Sequence, residues 1–216
     1  MNKSPQSNNN DREDKRKKIL LAALKAYSNY GIGKATTRQI AEIADIGKST
    51  IYEYFKSKED LIDEAFTFLI CQMEESKNSI HSVATENPVS ALILYIDNTI
   101  HIALNEPSTL LLISQYTLDI LLKTDKYEEA KVQYQKKMSP LFQNMMNEFT
   151  FILNQGIEKG LFKPAINIGV ENLVYVIGAL IREIQAQAFI KNKEELKETC
   201  LKIKETILKL LGIEIS

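Results

Sequence analysis

The 216-residue sequence has few of the residues on which metal-binding, redox-active and membrane-embedded proteins depend. Its two cysteines and two histidines include no pair with the spacing of metal ligands. It contains no run of about 18 apolar residues that would form a transmembrane helix. The polar first ten residues lack the apolar segment of a secretion signal. We therefore expect no bound metal, no other cofactor and no membrane contact.

Glycine is also scarce, with eight residues in the chain. Gly47-Lys48-Ser49 resembles the end of a phosphate-binding loop, but the earlier glycine that such a loop needs falls on Glu42, and no strand precedes it. The sequence also offers no combination of nucleophile, base and orienting group. We therefore expect a protein that is not an enzyme.

Helical patterns fill the rest of the chain, and no segment reads as a strand with a partner. The first helix is predicted from about Asp11 to Tyr30. Later helices are predicted to start at Asn87-Pro88, at Pro107 and at Asp125. The fold class is thus all-α with about nine or ten helices. Its parts are a disordered tail (1–10), an N-terminal three-helix domain (11–57) and a larger helical domain (58–216).

The segment that follows Thr36 predicts two short helices joined by a tight turn. Thr36 and Gln39 form a capping box that opens the first of them. Asp45-Ile46-Gly47 turns the chain, the second helix runs from Lys48 to Phe55, and Ser57 caps the helix after it. This arrangement is a helix-turn-helix, whose second helix can enter the major groove of DNA.

Donor groups and flat rings lie on the predicted outer face of this motif. Hydroxyls and lysines suit phosphate oxygens, whereas Arg38, Lys48 and the Tyr52 ring suit base edges. An acid on the second helix, Glu53, either accepts from a cytosine amino group or points to solvent, and we favour solvent. The residues predicted to contact DNA are Thr37, Arg38, Lys48, Ser49, Thr50, Tyr52, Tyr54 and Lys58.

Charge is distributed unevenly along the chain. The first 60 residues carry 12 Lys or Arg against 8 Asp or Glu, a net of +4, although the whole chain has a net charge of −1. A local positive charge is sufficient for salt-dependent attraction to phosphate. The run Lys15-Arg16-Lys17-Lys18 is either a solvated helix face or a phosphate contact, and we favour the solvated face.

The helix-turn-helix segment contains a dense, ordered motif. It consists of Thr37-Arg38-Gln39-Ile40-Ala41-Glu42-Ile43-Ala44, the turn, then Lys48-Ser49-Thr50-Ile51-Tyr52 and Tyr54-Phe55-Lys56-Ser57-Lys58-Glu59-Asp60-Leu61. The motif resembles the signature of the tetracycline-repressor (TetR) family of regulators. The resemblance implies an all-helical, homodimeric, cytoplasmic protein that represses transcription and leaves its operator when a small molecule binds the C-terminal domain.

Two residues of the turn depart from the family pattern. Asp45 stands where the family usually has glycine, and Gly47 stands where it often has a serine or threonine cap. Aspartate tolerates the left-handed conformation better than most residues, and glycine is an acceptable N-cap. We therefore expect the turn to form.

Two later helices carry more apolar surface than one buried face requires. Either they run through the middle of their own domain or the excess packs against a second copy, which we favour, partly from the resemblance. A twofold dimer places its recognition helices about 34 Å apart, so double-stranded DNA with an inverted repeat is the expected operator. The predicted dimerisation residues are Phe142, Met146, Phe149, Leu153, Leu173, Val174, Ile177, Gly178, Ile181 and Ile184.

A small, lipophilic or aromatic effector is the expected ligand, because the candidate pocket residues are mostly apolar with a few polar groups. Those candidates are Phe66, Met73, Tyr95, His101, Tyr116, Met138 and Phe142. Each also fits a plain core position. The alternative function is a helical interaction or adaptor protein that uses the helix-turn-helix for protein contacts, and its binding would not weaken steeply with salt.

Overall fold

The computed structural model describes residues 5–75, 78–166 and 168–213, apart from the side chains of 5–10, 73–75, 78–79 and 139–142. Over these residues the chain forms eleven helices and no strand, which confirms the all-α prediction. The helices are α1 (Pro5–Tyr30), α2 (Thr37–Ala44), α3 (Lys48–Tyr54), α4 (Lys58–Glu75), α5 (Asn78–Glu86), α6 (Pro88–Asn105), α7 (Pro107–Leu122), α8 (Tyr127–Lys137), α9 (Ser139–Glu158), α10 (Gly169–Gln187) and α11 (Lys193–Leu210).

The chain divides into two compact units. Unit 1 comprises residues up to Met73 together with Leu112–Asp119 of α7, and unit 2 comprises Glu74–Leu111 and Ile120 onward. The domain boundary predicted from sequence lies earlier, before α4. The structure places most of α4 in unit 1 because the apolar face of this helix, with Leu61, Ala65 and Phe66, is buried there.

Unit 1 holds the helix-turn-helix on a small apolar core. The helix α1 begins at Pro5, six residues before the predicted start, and supplies one wall of this core. Apolar side chains from all four helices are buried with exposures of 1% or less, which fixes the helices against one another. They are Ile19, Ala23, Ala26, Tyr27, Ile40, Ala44, Ile51, Phe55, Leu61, Ala65 and Phe66.

Helix boundaries in the later part of the chain follow the proline signals more closely than the capping signals. The predicted starts at Pro88 and Pro107 are confirmed, and the Asn87 side chain accepts from the Ser90 amide. The start predicted at Asp125 is two residues early, since α8 begins at Tyr127. The Thr124 hydroxyl accepts from the Lys126 amide and donates to Glu129, so it holds this junction instead.

Unit 2 is built on a continuous apolar core from α5, α6, α9, α10 and α11. One close approach in it depends on a glycine: a Cβ atom added to Gly156 of α9 would lie 2.0 Å from a ring carbon of Phe162. The Phe162 amide donates to the Gly156 carbonyl at 2.9 Å, and its side chain is 2% exposed. Gly156 therefore lets the aromatic ring lie directly on the helix backbone.

None of the helices in the described ranges is long and apolar enough to cross a membrane. In the same part of the chain, no group of three or more His, Cys, Asp or Glu side chains is placed to hold a metal ion.

Candidate nucleic-acid interface

The start of α2 is fixed by the capping box predicted from sequence. The Thr36 hydroxyl accepts from the Gln39 amide at 3.2 Å, and the Gln39 side-chain oxygen accepts from the Thr36 amide at 2.9 Å. These two bonds satisfy backbone donors that the first turn of a helix leaves free. The position of Arg38, between them in the sequence, is therefore set by a closed backbone turn.

The turn between α2 and α3 forms with the two residues that depart from the family pattern. Asp45 adopts the left-handed conformation at φ 52° and ψ 55° and is, among the described residues, the only non-glycine with positive φ. Gly47 is the N-cap of α3 and supplies no side-chain hydrogen bond to it. The seven-residue α3 consequently takes its stability from packing, with Ile51 and Phe55 each 1% exposed.

Four of the predicted DNA contacts have side chains available at the surface of α2 and α3. Arg38, Lys48, Ser49 and Tyr52 are all exposed. The Arg38 guanidinium forms an ion pair with Glu42 at 3.0 Å, in which the two side chains are 82% and 62% exposed. Such an exposed pair contributes only about 0.3–0.5 kcal/mol, so a DNA acceptor can readily replace Glu42.

The other four predicted contacts are held more closely by the protein. The buried Thr37 hydroxyl lies 3.4 Å from the Tyr52 hydroxyl and orients that ring. Thr50 and Tyr54 are half-buried. The Lys58 ammonium donates to the Gly33 carbonyl at 3.2 Å, which ties the start of α4 to the loop between α1 and α2.

Sequence reasoning missed two arginines of α1 that contact the end of α3. The Arg12 guanidinium lies 5.9 Å from the centre of the Tyr54 ring. Arg16 donates to the Tyr54 carbonyl at 3.3 Å, pairs with Glu64 of α4 and stacks on the Phe55 ring at 4.9 Å. The charge run that contains Arg16 is thus not uniformly solvated, and no local signal distinguishes this arginine from its neighbours.

Unit 1 also contains a stack of three near-parallel aromatic rings. Phe66 of α4 lies 4.1 Å from Tyr116 of α7 and 6.2 Å from Tyr27 of α1, measured between ring centres. The Tyr116 hydroxyl donates to Asp63 at 2.9 Å. Burial, then the bond to Asp63, raises the pKa of Tyr116 well above its usual value, so this hydroxyl stays protonated near neutral pH.

The predicted ligand residues are divided between the two units of the chain. Phe66 and Tyr116 meet in unit 1, while Tyr95 lies beside Phe149 in unit 2 with ring centres 5.3 Å apart. Burial, and secondarily the Glu148 carboxylate, raises the pKa of Tyr95 to about 12. Met138 is buried and His101 is exposed. The side chains of Met73 and Phe142 lie outside the described residues.

Most of the predicted dimerisation residues fill the core of unit 2. Those with at most 5% exposure are Phe149, Leu153, Leu173, Val174, Ile177, Ile181 and Ile184. They pack α9 and α10 into the core of unit 2, and contact of these helices with a second copy stays a prediction. The surface that α10 leaves exposed includes Tyr175 and Val176, with Gly178 beside it.

The comparison with protein families decides the identity of the amino-terminal helices. Residues 19–65 match the model of bacterial regulatory proteins of the tetR family, and this span covers the C-terminal part of α1, the whole helix-turn-helix and the first part of α4. These amino-terminal residues form a DNA-binding domain of the TetR family. The chain is therefore a DNA-binding transcriptional regulator, and α2 and α3 form its helix-turn-helix.

Relatives of the chain extend the likeness beyond the matched span. The chain is 27% identical over 151 residues to YhgD, an uncharacterized HTH-type transcriptional regulator of Bacillus subtilis (strain 168), covering 70% of this chain and 73% of that protein. A TetR transcription regulator from Haloarcula marismortui ATCC 43049 has the same fold, with a TM-score of 0.75, 19% identity and coverage of 92% and 99%. FadR from Bacillus subtilis, solved in complex with stearoyl-CoA, gives a TM-score of 0.64 at 22% identity, with coverage of 91% and 98%.

Proposed function

We propose that this TetR-family regulator is a cytoplasmic homodimeric repressor that occupies an inverted-repeat operator and is released by a lipophilic small molecule. The observation that carries the DNA-binding part is the exposed surface formed by Arg38, Lys48, Ser49 and Tyr52 on a packed three-helix support. A guanidinium and an ammonium are suited to guanine, and the Tyr52 ring is suited to a thymine methyl group. Repression by occlusion needs only that the protein cover its operator.

A second copy is proposed to pack against the exposed side of α10. Tyr175 is 64% exposed and Val176 is 38% exposed. A Cβ atom added to Gly178 would meet only the Arg182 guanidinium, at 3.6 Å, so packing within the monomer does not require glycine there. A residue without a side chain permits close approach of another helix. The dimer also supplies the two recognition helices that an inverted repeat requires.

A long-chain acyl compound is the effector class that we propose to test first. The FadR structure with stearoyl-CoA has the same fold as this chain. A curated relative that is 24% identical over 151 residues is a fatty acid metabolism regulator protein of Bacillus subtilis. Phe66 of unit 1 and Met138 of unit 2 are apolar candidates, as contact with an acyl chain would require.

The DNA-binding proposal is tested by selecting duplexes from a random pool with the purified chain, then measuring affinity across a salt series. We expect selection of an inverted repeat and a linear fall of log affinity with log salt. Arg38→Ala and Lys48→Ala should each lower operator affinity by about tenfold, within the range of a lost base contact. Lys197→Ala, which removes an exposed charge from α11 in unit 2, is the matched control and should have no effect.

The effector proposal is tested by titrating stearoyl-CoA, a short-chain acyl-CoA and free coenzyme A against the operator complex. Release by the long-chain compound alone is the expected result. Release by all three would assign recognition to the nucleotide portion, and release by none would remove this effector class. Since an effector shifts the equilibrium only by its preference for the non-binding state, DNA affinity should reach a plateau at saturation.

The adaptor alternative makes the opposite prediction about salt. A protein–protein contact through α2 and α3 would neither select a duplex nor show the steep salt dependence of phosphate binding. The same salt series therefore separates the two functions.

A further inference from the structure

The recognition helix α3 has little of its own to fix its direction. It has seven residues, which is shorter than an isolated helix needs for stability in water. Its N-cap, Gly47, makes no side-chain hydrogen bond, and only Ile51 within the helix is fully buried. The direction in which Lys48, Ser49 and Tyr52 point therefore depends on the packing of Ile51 and Phe55 and on contacts made with the helix from outside.

Arg16 of α1 occupies the C-terminal end of α3 through three separate contacts. Its Nη1 atom donates to the Tyr54 carbonyl at 3.3 Å, which satisfies one of the acceptors that the last turn of a helix leaves free. Its positive charge lies where the helix dipole is negative. Its guanidinium plane lies over the Phe55 ring, with the carbon centre 4.9 Å from the ring centre.

The third contact connects α3 to α4. The Nη2 atom of Arg16 pairs with Glu64, and the two side chains are only 40% and 33% exposed. The guanidinium thus bridges α1, the end of α3 and the first half of α4 with a single planar group. An ammonium cannot reproduce this arrangement, because Lys lacks the planar fork that serves two acceptors and a ring face together.

We propose that Arg16 is a positioning residue for operator recognition: its bridge to Tyr54, Phe55 and Glu64 sets the direction of α3, so that losing it reduces discrimination between operator and random DNA. The inference rests on the proposed operator binding. Arg16 acts through α3 in this account and does not itself contact the operator.

The test compares affinity for the selected operator with affinity for a scrambled duplex in four variants. Arg16→Ala and Arg16→Lys should each lower the operator-to-scrambled ratio by about tenfold, the size of one misplaced base contact. Glu64→Gln should lower the ratio as well, although it makes the chain more positive. Lys17→Ala, which removes an exposed charge beside Arg16, is the matched control and should leave the ratio unchanged.

The ratio and the salt slope separate this role from two others. A variant that is merely less stable binds both duplexes less well, because its folded fraction falls, and its ratio stays the same. If Arg16 instead contacted a phosphate directly, Arg16→Ala would lower the salt slope by about one. Circular dichroism reports whether each variant folds. If Arg16→Ala does not fold, Arg16→Lys and Glu64→Gln still test the proposal.

Three results would overturn the inference. They are an unchanged ratio in Arg16→Lys and Glu64→Gln, full rescue by Arg16→Lys of a ratio lost in Arg16→Ala, or a salt slope that falls in Arg16→Ala with the ratio intact. If the unmodified chain itself prefers no duplex, the proposed function fails instead, and the wild-type measurement identifies that case.

Discussion

Two tyrosine hydroxyls in unit 1 lead to opposite expectations when each is replaced by phenylalanine. Tyr27 and Tyr116 both stack with Phe66, and both are at most 4% exposed. Tyr116 donates to Asp63 at 2.9 Å, whereas the Tyr27 hydroxyl has no hydrogen-bond partner among the described residues. Each substitution keeps the ring and removes one oxygen atom, so it isolates the contribution of the hydrogen bond.

The expected magnitudes follow from these surroundings. A hydrogen bond to a charged group contributes about 1.5–3 kcal/mol. Asp63 is half-buried, so water replaces part of the lost bond and the lower end of that range applies. Tyr116→Phe should thus lower the free energy of unfolding by about 1–2 kcal/mol, which corresponds to a fall in Tm of roughly 2–8 °C for a chain of this size. Tyr27→Phe removes a buried hydroxyl without a partner and should raise the free energy of unfolding by about 1 kcal/mol.

Urea and thermal unfolding followed by circular dichroism measure both changes, since the chain has no tryptophan to serve as a fluorescence probe. Tyr30→Phe is the matched control, because Tyr30 is 46% exposed on α1 and should change stability by less than about 0.5 kcal/mol. A shift of the same sign in Tyr27→Phe and Tyr116→Phe would refute the reasoning from hydrogen-bond satisfaction.

Three further outcomes are expected. Gly156→Ala should destabilise the protein by about 1–2 kcal/mol in urea unfolding, since overpacking against Phe162 exceeds the gain of about 1 kcal/mol in helix propensity, but it should stabilise a Phe162→Ala background. Gly178→Leu should yield monomers in analytical ultracentrifugation at concentrations where the unmodified chain dimerises, and an unchanged dimer would exclude this face. Because the pKa of Tyr95 is raised from 10.0 to about 12 in the folded state, stability should be full below pH 10 and fall as the pH rises towards 12. A Tyr95→Phe variant should show a shallower alkaline loss in pH-dependent urea unfolding.

The helix-turn-helix was predictable because its signals are local. The capping box at Thr36 and the Ser57 cap, which accepts from the Asp60 amide at 3.0 Å, involve residues three positions apart and form as expected. The left-handed Asp45 likewise follows from the residue type and the turn around it. Glu53 is exposed on α3, which both alternatives for this acid require, so the preference for solvent over a base contact stays a prediction.

Features that depend on distant partners were not predictable in the same way. Arg16 contacts Tyr54 and Glu64, which lie 38 and 48 positions further along the chain. Nothing in its own neighbourhood distinguishes it from Lys15 or Lys17. The apolar periodicity of α10 predicts which of its residues are buried, but not whether its own domain or a second copy covers them. Leu173, Val174 and Ile177 illustrate the limit, because the same stripe serves equally for a domain core and for a dimer interface.

The acids on α2 and α3 bear on how the proposed regulator would distinguish its operator from other DNA. Glu42 pairs with Arg38 and Glu53 is exposed, so the helix-turn-helix carries negative charge near its own donors. If the operator is bound as proposed, Arg38 would have no guanine to replace Glu42 on a non-operator sequence, and the acids would then repel phosphate without compensation. On the proposed operator the exchange would cost little, because an exposed ion pair is worth about 0.3–0.5 kcal/mol. The modest net charge of the first 60 residues would therefore favour discrimination over tight general binding, as long as Arg16 sets the direction of α3 as proposed.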